Sequence, residues 1–454
     1  MNTNDRKEGD VNFGYARAQW QKKHHSEATH AALREDEKYF FHQALSTPCM
    51  NALKGAKGSH LVDLEGRNIL DFHGNSVHQL GYGHPKVVSA IQQAMEQLPF
   101  SPRRYSNAWS TELAKRLTEL APIDDARVLF SPNGATAVSM ALKIARWHTH
   151  KHKVIAMKDS FHGATLDTIS VGGEEVFHRG MGPLLDGVIH VPAHEPSRCE
   201  LGCQGICHLA CADRIEQQLS MDSEIGAVLI ETVRCTDVQI PPRDFYQRIR
   251  QACDRYGALL IVDEIPIALG RTGHWFAIQA YDVHPDLIVI GKGLGGGILP
   301  LAAVIGASKF NTAKSVSLGH FTHEKNPVLC AAGLATIDVL EEEKLIDRSR
   351  HVGREILSEI EGWKCQYPFI SEVRGIGLLI GVELQDAYGI AAEDLAETVL
   401  YDCLSLGLSF KVGKGRVLVL SPSLNIYNED MEHALKILRQ VFSQVHIRFS
   451  GPTI

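Results

Sequence analysis

Between about residues 100 and 325, short β-branched apolar runs alternate with stretches of helical period, and this alternation narrows the fold more than any other feature of the chain. It calls for βαβ units and a mainly parallel sheet, because parallel neighbours need a crossover and a helix packs back onto the sheet. The expected strands are 127–130, 153–157, 226–231, 258–264, 286–291 and 301–306. Sheets of this kind bind ligands at the carboxyl ends of their strands, so the residues just past those runs are the first to inspect.

One of them is Lys292, which the run 288–291 delivers into the glycine-rich turn Gly291-Lys-Gly-Leu-Gly-Gly-Gly297. A lysine there can attack a carbonyl, and the glycines let backbone pass close to a bound molecule. A lone Gly-Lys-Gly would describe a surface loop. The upstream run 258–264 changes that, because it ends in Asp263, and a carboxylate at this place can hold a pyridinium nitrogen protonated. The pair predicts the Schiff-base lysine and the ring-nitrogen partner of a pyridoxal 5'-phosphate enzyme. After 127–130 comes Ser131-Pro-Asn-Gly-Ala-Thr-Ala137, opening a helix to about His150. The start of that helix offers a phosphate seat at Gly134, Ala135 and Thr136, although by itself the pattern also describes a plain strand-to-helix turn. After 153–157, Ser160-Phe-His-Gly163 brings an aromatic ring, Phe161, and an imidazole, His162, to another strand end.

Outside this region residues 1–45 read as a charged, histidine-rich arm, with His24, His25 and His30 expected to be merely solvated. Residues 46–99 and 326–454 read as two parts of a smaller domain around the large domain at 100–325. In it, 375–383 and 416–420 are expected as strands and 430–445 as the last helix. A net charge of −7 disfavours nucleic acid or an anionic membrane as partner, and no apolar run approaches the roughly 18 residues of a membrane span. A cytoplasmic protein is expected. Of ten cysteines, Cys199, Cys203, Cys207 and Cys211 are evenly spaced, which would put successive thiols on one helix face. No metal is expected there, since zinc sites use tighter knuckles; a structural metal with His208 as a spare ligand is the less favoured reading. Cys49, Cys235, Cys253, Cys330, Cys365 and Cys403 read as small core residues.

Taken together, Asp71-Phe-His-Gly-Asn75, Gly81-Tyr-Gly-His-Pro85, Val262-Asp-Glu-Ile-Pro-Ile-Ala-Leu-Gly-Arg-Thr-Gly273, Lys292 and Val373-Arg-Gly-Ile-Gly-Leu378 resemble the class III, ornithine and acetylornithine type, aminotransferases. The resemblance implies the fold-type I α/β architecture, with a mainly parallel seven-stranded sheet and a smaller α+β domain, and a homodimer with shared sites. It implies that Gly134 and Ala135 bind the cofactor phosphate, Phe161 stacks on the ring, and Glu231 helps hold the site. Thr322 would reach the phosphate of a neighbouring subunit. The chain departs from the pattern at Thr136, at Pro266 and at Thr236, where glutamate, glutamine and glutamate are usual. Loss of the last leaves Arg374 without its gating partner and, with Arg234, suggests a substrate-binding pair for a doubly charged tail. These departures weaken the aminotransferase reading, and within the class the chain resembles the lyases that act on small amino-phospho compounds; that resemblance implies release of ammonia from an amino-phosphonate with a 2-amino and a 1-hydroxy group. An ω-aminotransferase using a 2-oxo acid and a phosphoethanolamine-type phospho-lyase are the alternatives.

Overall fold

A computed structural model describes residues 14–203 and 205–451, so the first thirteen residues of the expected arm lie outside it. The chain divides into two units, a larger one of residues 85–234 and 239–346, and a smaller one of residues 1–84, 235–238 and 347–454. The expected divisions at 99/100 and 325/326 both fall inside the larger unit, because the flanking helices α1 (Pro85–Gln97) and α6 (Pro327–Glu342) pack on each other.

The larger unit is built on seven strands: β1 (Ala126–Ser131), β2 (Lys153–Met157), β3 (Val188–Val191), β4 (Ile225–Glu231), β5 (Leu259–Asp263), β6 (Leu287–Ile290) and β7 (Ala302–Ala307). Their order across the sheet is β1-β7-β6-β5-β4-β2-β3. Only β7 runs antiparallel to its neighbours, so the other six point the same way. The α/β expectation and the mainly parallel seven-stranded sheet are borne out. Strands β4, β5 and β6 are buried along their whole length, which is why they read as continuous apolar runs rather than alternating ones. Helix α3 (Gly134–Thr149) covers the sheet with Ala137, Val138, Ala141 and Ile144 against Leu229, Ile261 and Val289. Each large side chain fully buried in this way contributes roughly 1.5–3 kcal/mol.

The smaller unit holds two four-stranded sheets. In the second, the expected strand 375–383 is a hairpin: Ile370–Ile376 pairs antiparallel with Leu379–Leu384. The apolar run is continuous, but Gly377, at φ +58°, turns the chain in two residues, a backbone conformation that glycine adopts without strain. Trp363, Tyr367, Phe369 and Phe442 meet edge to face or stacked beside this sheet. Among the described residues no helix is long and apolar enough to cross a membrane.

The histidines of the arm are not simply solvated. His24 stacks on Trp20 at 5.1 Å between ring centroids, and His25 meets Trp20 and His30 edge to face. Burial, then the charge of His30 and Arg67, pushes His25 down to about 4 against the pull of Glu65 and Asp63. A histidine depressed in this way binds its proton in the unfolded chain near pH 6.5 but in the folded chain only near pH 4. Its contribution to stability is therefore complete above 6.5 and is lost as pH falls through that window. The urea midpoint of the protein should fall between pH 6.5 and 4, and His25→Gln should flatten that slope; an unchanged slope in the variant would show that other groups set it.

Candidate active site

Because six strands run parallel, the carboxyl ends of β2, β4, β5 and β6 and the loop after β1 open on one edge of the sheet. Register fixes their order there: Glu231 pairs with Asp263, and Asp263 with Val289. Lys292 follows β6 directly, in the short 3-10 turn Lys292–Gly295. Its φ of +45° is left-handed, unusual for a residue with a side chain and worth about 1–3 kcal/mol of strain of the kind that collects at functional sites. Helix α6 packs on that turn.

Asp263 is 2 % exposed. His162 Nδ1 lies 2.8 Å from its Oδ2, and the amide of Ile265 donates to Oδ1 at 3.0 Å, so the carboxylate is held in one orientation. The other ring nitrogen of His162 is buried and has no partner among the described residues. Next to Asp263, Glu264 is fully buried and pushed up to about 7 by desolvation. It accepts from Thr232 Oγ1 at 2.8 Å and from the amides of Ala277 and Ile278, which pins the turn beyond β5.

Helix α3 begins at Gly134, with Asn133 as its cap accepting from the amide of Thr136 at 3.0 Å. The unusual Thr136 completes this cap through its hydroxyl, which bonds the Asn133 carbonyl at 3.1 Å and also Ser131. The first amides, those of Gly134 and Ala135, have no acceptor within a helix and face an anion favourably. Phe161 and His162 are brought to the same place by Gly163: at φ +123°, a Cβ there would sit 2.5 Å from that of Ala135. Phe161 packs its ring on Phe177 at 4.6 Å. Thus Gly134, Ala135, Phe161, His162, Glu231, Asp263 and Lys292 all belong to the strand ends and connections of one unit. Thr322, in the same unit, is exposed.

The two arginines are differently placed. Arg234, in the larger unit, is buried; its Nη2 lies 3.0 Å from Glu195 Oε2, and it lines a small cavity with Met157, His194, Glu231, Gln239 and Phe245. Arg374, in the smaller unit, is not without a carboxylate partner as expected. The hairpin sets Glu383 opposite Glu372, so both acids meet Arg374 Nη1, at 2.7 and 2.8 Å, while the carbonyls of Val238 and Asp237 take Nε and Nη2. Position 236 is a threonine, yet Arg374 has a carboxylate partner on the paired strand. Sequence reasoning missed Glu383 and Glu195; the one available signal was that Glu383 is the charge that closes an apolar run.

The four spaced cysteines do not share a helix face either. Pro196–Arg198 is a short 3-10 turn, Cys199, Cys203 and Cys207 lie outside any helix, and only Cys211 lies on the following helix, α4 (Ala210–Met221). Cys253, Cys330 and Cys403 are core residues as expected, whereas Cys365 is exposed and Cys49 and Cys235 are partly so.

Comparison with known proteins bears on the same residues. The class-III aminotransferase family profile matches residues 42–442. An (R)-1-hydroxy-2-aminoethylphosphonate ammonia-lyase of Vibrio splendidus is 45 % identical over 98 % of this chain and 96 % of its own. An alanine/serine racemase of Pyrococcus horikoshii is 31 % identical over 84 % of each chain. Among solved structures, an amine transaminase from an uncultivated Pseudomonas species, in its pyridoxal-phosphate-bound internal-aldimine form, superposes with a TM-score of 0.83 at 27 % identity, over 90 % of this chain and 99 % of that one. Such a cofactor fits here: a buried, oriented carboxylate at one strand end, a lysine at the next, and a capped helix start brought against the aromatic loop by a glycine with no room for a Cβ. With sheet, strand-end residues and sequence in agreement, the chain belongs to the class-III aminotransferase family and is a pyridoxal-phosphate enzyme.

Proposed function

We propose that this enzyme is an ammonia-lyase that converts (R)-1-hydroxy-2-aminoethylphosphonate to phosphonoacetaldehyde and ammonia, a step in the breakdown of phosphonates. The observation that carries the reading is the 45 % identity to the Vibrio splendidus lyase over almost the whole of both chains. The absence of a glutamate at Thr236 adds nothing to it, because Arg374 has Glu383 in its place.

Bound at this edge, pyridoxal phosphate would draw electrons away from the carbon that carries the substrate's nitrogen. Lys292 would hold the cofactor through Nζ, and the same amine, when free, would take the proton from that carbon. Nζ would return that proton to the adjacent hydroxyl as it leaves as water, and one water taken up in hydrolysis would then give phosphonoacetaldehyde and ammonia. Asp263 would hold the proton on the ring nitrogen, and His162 keeps its carboxylate aimed by the bond to Oδ2. Gly134 and Ala135 would bind the phosphate through their amides, Phe161 would lie on the ring, and Glu231 would border the site. Arg234 is our candidate for the phosphonate tail, since its planar fork of donors suits a doubly charged group; Glu195 must then share or yield it. Arg374 can serve the tail only if Glu383 releases it. A homodimer in the cytoplasm, with Thr322 reaching the neighbouring phosphate, belongs to the same proposal, and the exposure of Thr322 is consistent with it.

The test is ammonia release by the purified enzyme from amino-phosphonates, phosphoethanolamine and ω-amino acids, with and without pyruvate. The 1-hydroxy-2-amino phosphonate should release ammonia without any oxo acid, and 2-aminoethylphosphonate, which has no leaving group, should not. Strict dependence on pyruvate would return the enzyme to the aminotransferases, and phosphate release from phosphoethanolamine would make it a phospho-lyase.

A further inference from the structure

Each of the two site carboxylates at the ends of β4 and β5 is followed by a buried polar residue, and these two are bonded to each other. Glu231 stands opposite Asp263, and one step further along Thr232 Oγ1 donates to Glu264 Oε1 at 2.8 Å. Both side chains are fully buried. The amide of Ile278 donates to the same carboxylate oxygen at 2.7 Å and that of Ala277 to Oε2 at 2.6 Å, so the short 3-10 helix Ala277–Tyr281 also closes on Glu264. Beside β4, Tyr246 on helix α5 (Arg243–Tyr256) reaches the carbonyls of Glu231 and Thr232 with its hydroxyl, at 3.0 and 2.8 Å. Beyond β5 the next residue, Ile265, ties the turn to the site twice. Its amide donates to Asp263 Oδ1 at 3.0 Å, and its side chain lies so close to the start of α3 that a Cβ at Gly134 would sit 2.7 Å from Cδ1.

We propose that Thr232 and Glu264 form a clamp across the ends of β4 and β5, in which an ionised Glu264 fixes the turn that carries Asp263 and so the angle at which that carboxylate meets the ring nitrogen of the cofactor. Both are positioning residues: fully buried, they act through Asp263 and the amide of Ile265. The clamp rests on our assignment of Asp263 to the ring nitrogen. Its charge state follows from the donors. Glu264 receives three hydrogen bonds, and the two backbone amides among the donors cannot reverse. A carboxylate satisfies all three, whereas a carboxylic acid can turn its proton only towards Thr232, whose hydroxyl then loses its acceptor. Burial pushes Glu264 up to about 7 and the charge of Asp263 adds to the push, against the pull of Thr232 and the two amides. The other ionisable groups around it are Asp263 itself, Glu231 on β4, and the phenols of Tyr246 and Tyr281, which burial keeps protonated; His162 is bonded to Asp263. The clamp is therefore complete above that pH and loosens as the pH falls through it.

The experiment compares holoenzyme variants. Thr232→Val keeps the shape of the side chain and removes the donor, whereas Thr232→Ser keeps the donor. Thr232→Val should lower kcat about tenfold with KM changed by less than about twofold, and Thr232→Ser should stay within about twofold of the parent protein in both. Glu264→Gln should lower kcat about 10²-fold, because its side-chain amide sets one N–H against a backbone N–H. In the parent protein kcat should fall as the pH drops through about 7, and Glu264→Gln should lack that limb. Two further readouts do not depend on turnover. The pH at which the absorbance of the lysine-bound cofactor changes should shift in Thr232→Val and Glu264→Gln and stay put in Thr232→Ser. The infrared band of a protonated carboxyl should grow in the parent protein as the pH falls through about 7 and be missing from Glu264→Gln. Equal behaviour of the valine and serine variants, or a band that persists in Glu264→Gln, would overturn the clamp. If Asp263→Asn leaves kcat and the absorbance titration unchanged, the assignment of Asp263 fails and the clamp with it; if that variant has its effect while Thr232→Val has none, only the clamp fails. The two threonine variants decide the matter even where Glu264→Gln folds poorly.

Discussion

Lys292→Ala is expected to abolish turnover, a loss of roughly 10⁶-fold or more, because the variant removes both the covalent anchor of the cofactor and the base that takes the substrate proton. The near-visible absorbance of the lysine-bound cofactor should vanish with it. Because the backbone at Lys292 is left-handed at φ +45°, the loss of the lysine could be confused with a shifted turn, so Lys292→Gly is the better control: glycine adopts that conformation freely. Both variants should remain folded and equally inactive. If either retains the absorbance and the activity, Lys292 is not the reacting group and the proposed mechanism loses its centre.

The second large effect is expected at Asp263. An amide at this position is nearly isosteric but carries no charge to hold a proton on the ring nitrogen, so Asp263→Asn should lower kcat by about 10³-fold, equivalent to about 4 kcal/mol of transition-state stabilisation. His162 acts through Asp263 by aiming its carboxylate at 2.8 Å, and it is therefore a positioning residue. His162→Gln, which can still donate one hydrogen bond, should cost about tenfold in kcat with little change in KM. The spectroscopic signature separates the two roles: the Asn variant should alter the pH dependence of the cofactor's absorbance, and the Gln variant should preserve it. Equal losses in both variants would mean that burial of the pair, rather than the charge of Asp263, is what matters.

The contrast between Lys292 and Arg374 shows what could be read before folding. Lys292, Asp263 and Glu231 each close a run of β-branched residues, and in a parallel sheet every such end lies on the same edge, so local pattern and handedness alone bring them together. The phosphate seat was legible for the same reason, as a helix beginning right after a strand. Four features needed the tertiary structure. The run 375–382 that follows Arg374 is apolar throughout, and only the turn at Gly377 divides it between two strands; that pairing sets Glu383 on Arg374 and supplies a partner that the sequence places nine residues away. The contact of His162 with Asp263 joins residues 101 positions apart, and no periodicity encodes it. The ring of His25 becomes half-buried only because Trp20 and His30 close on it. The even spacing of the cysteines suggested a helix face, yet turns at Gly202 and Gly205 keep Cys199 and Cys203 off the following helix, on which only Cys211 lies. The sequence by itself determined the elements and the edge at which they end, because burial and period act along the chain; which side chains meet was decided by strand pairing and turns, which act between segments far apart in it.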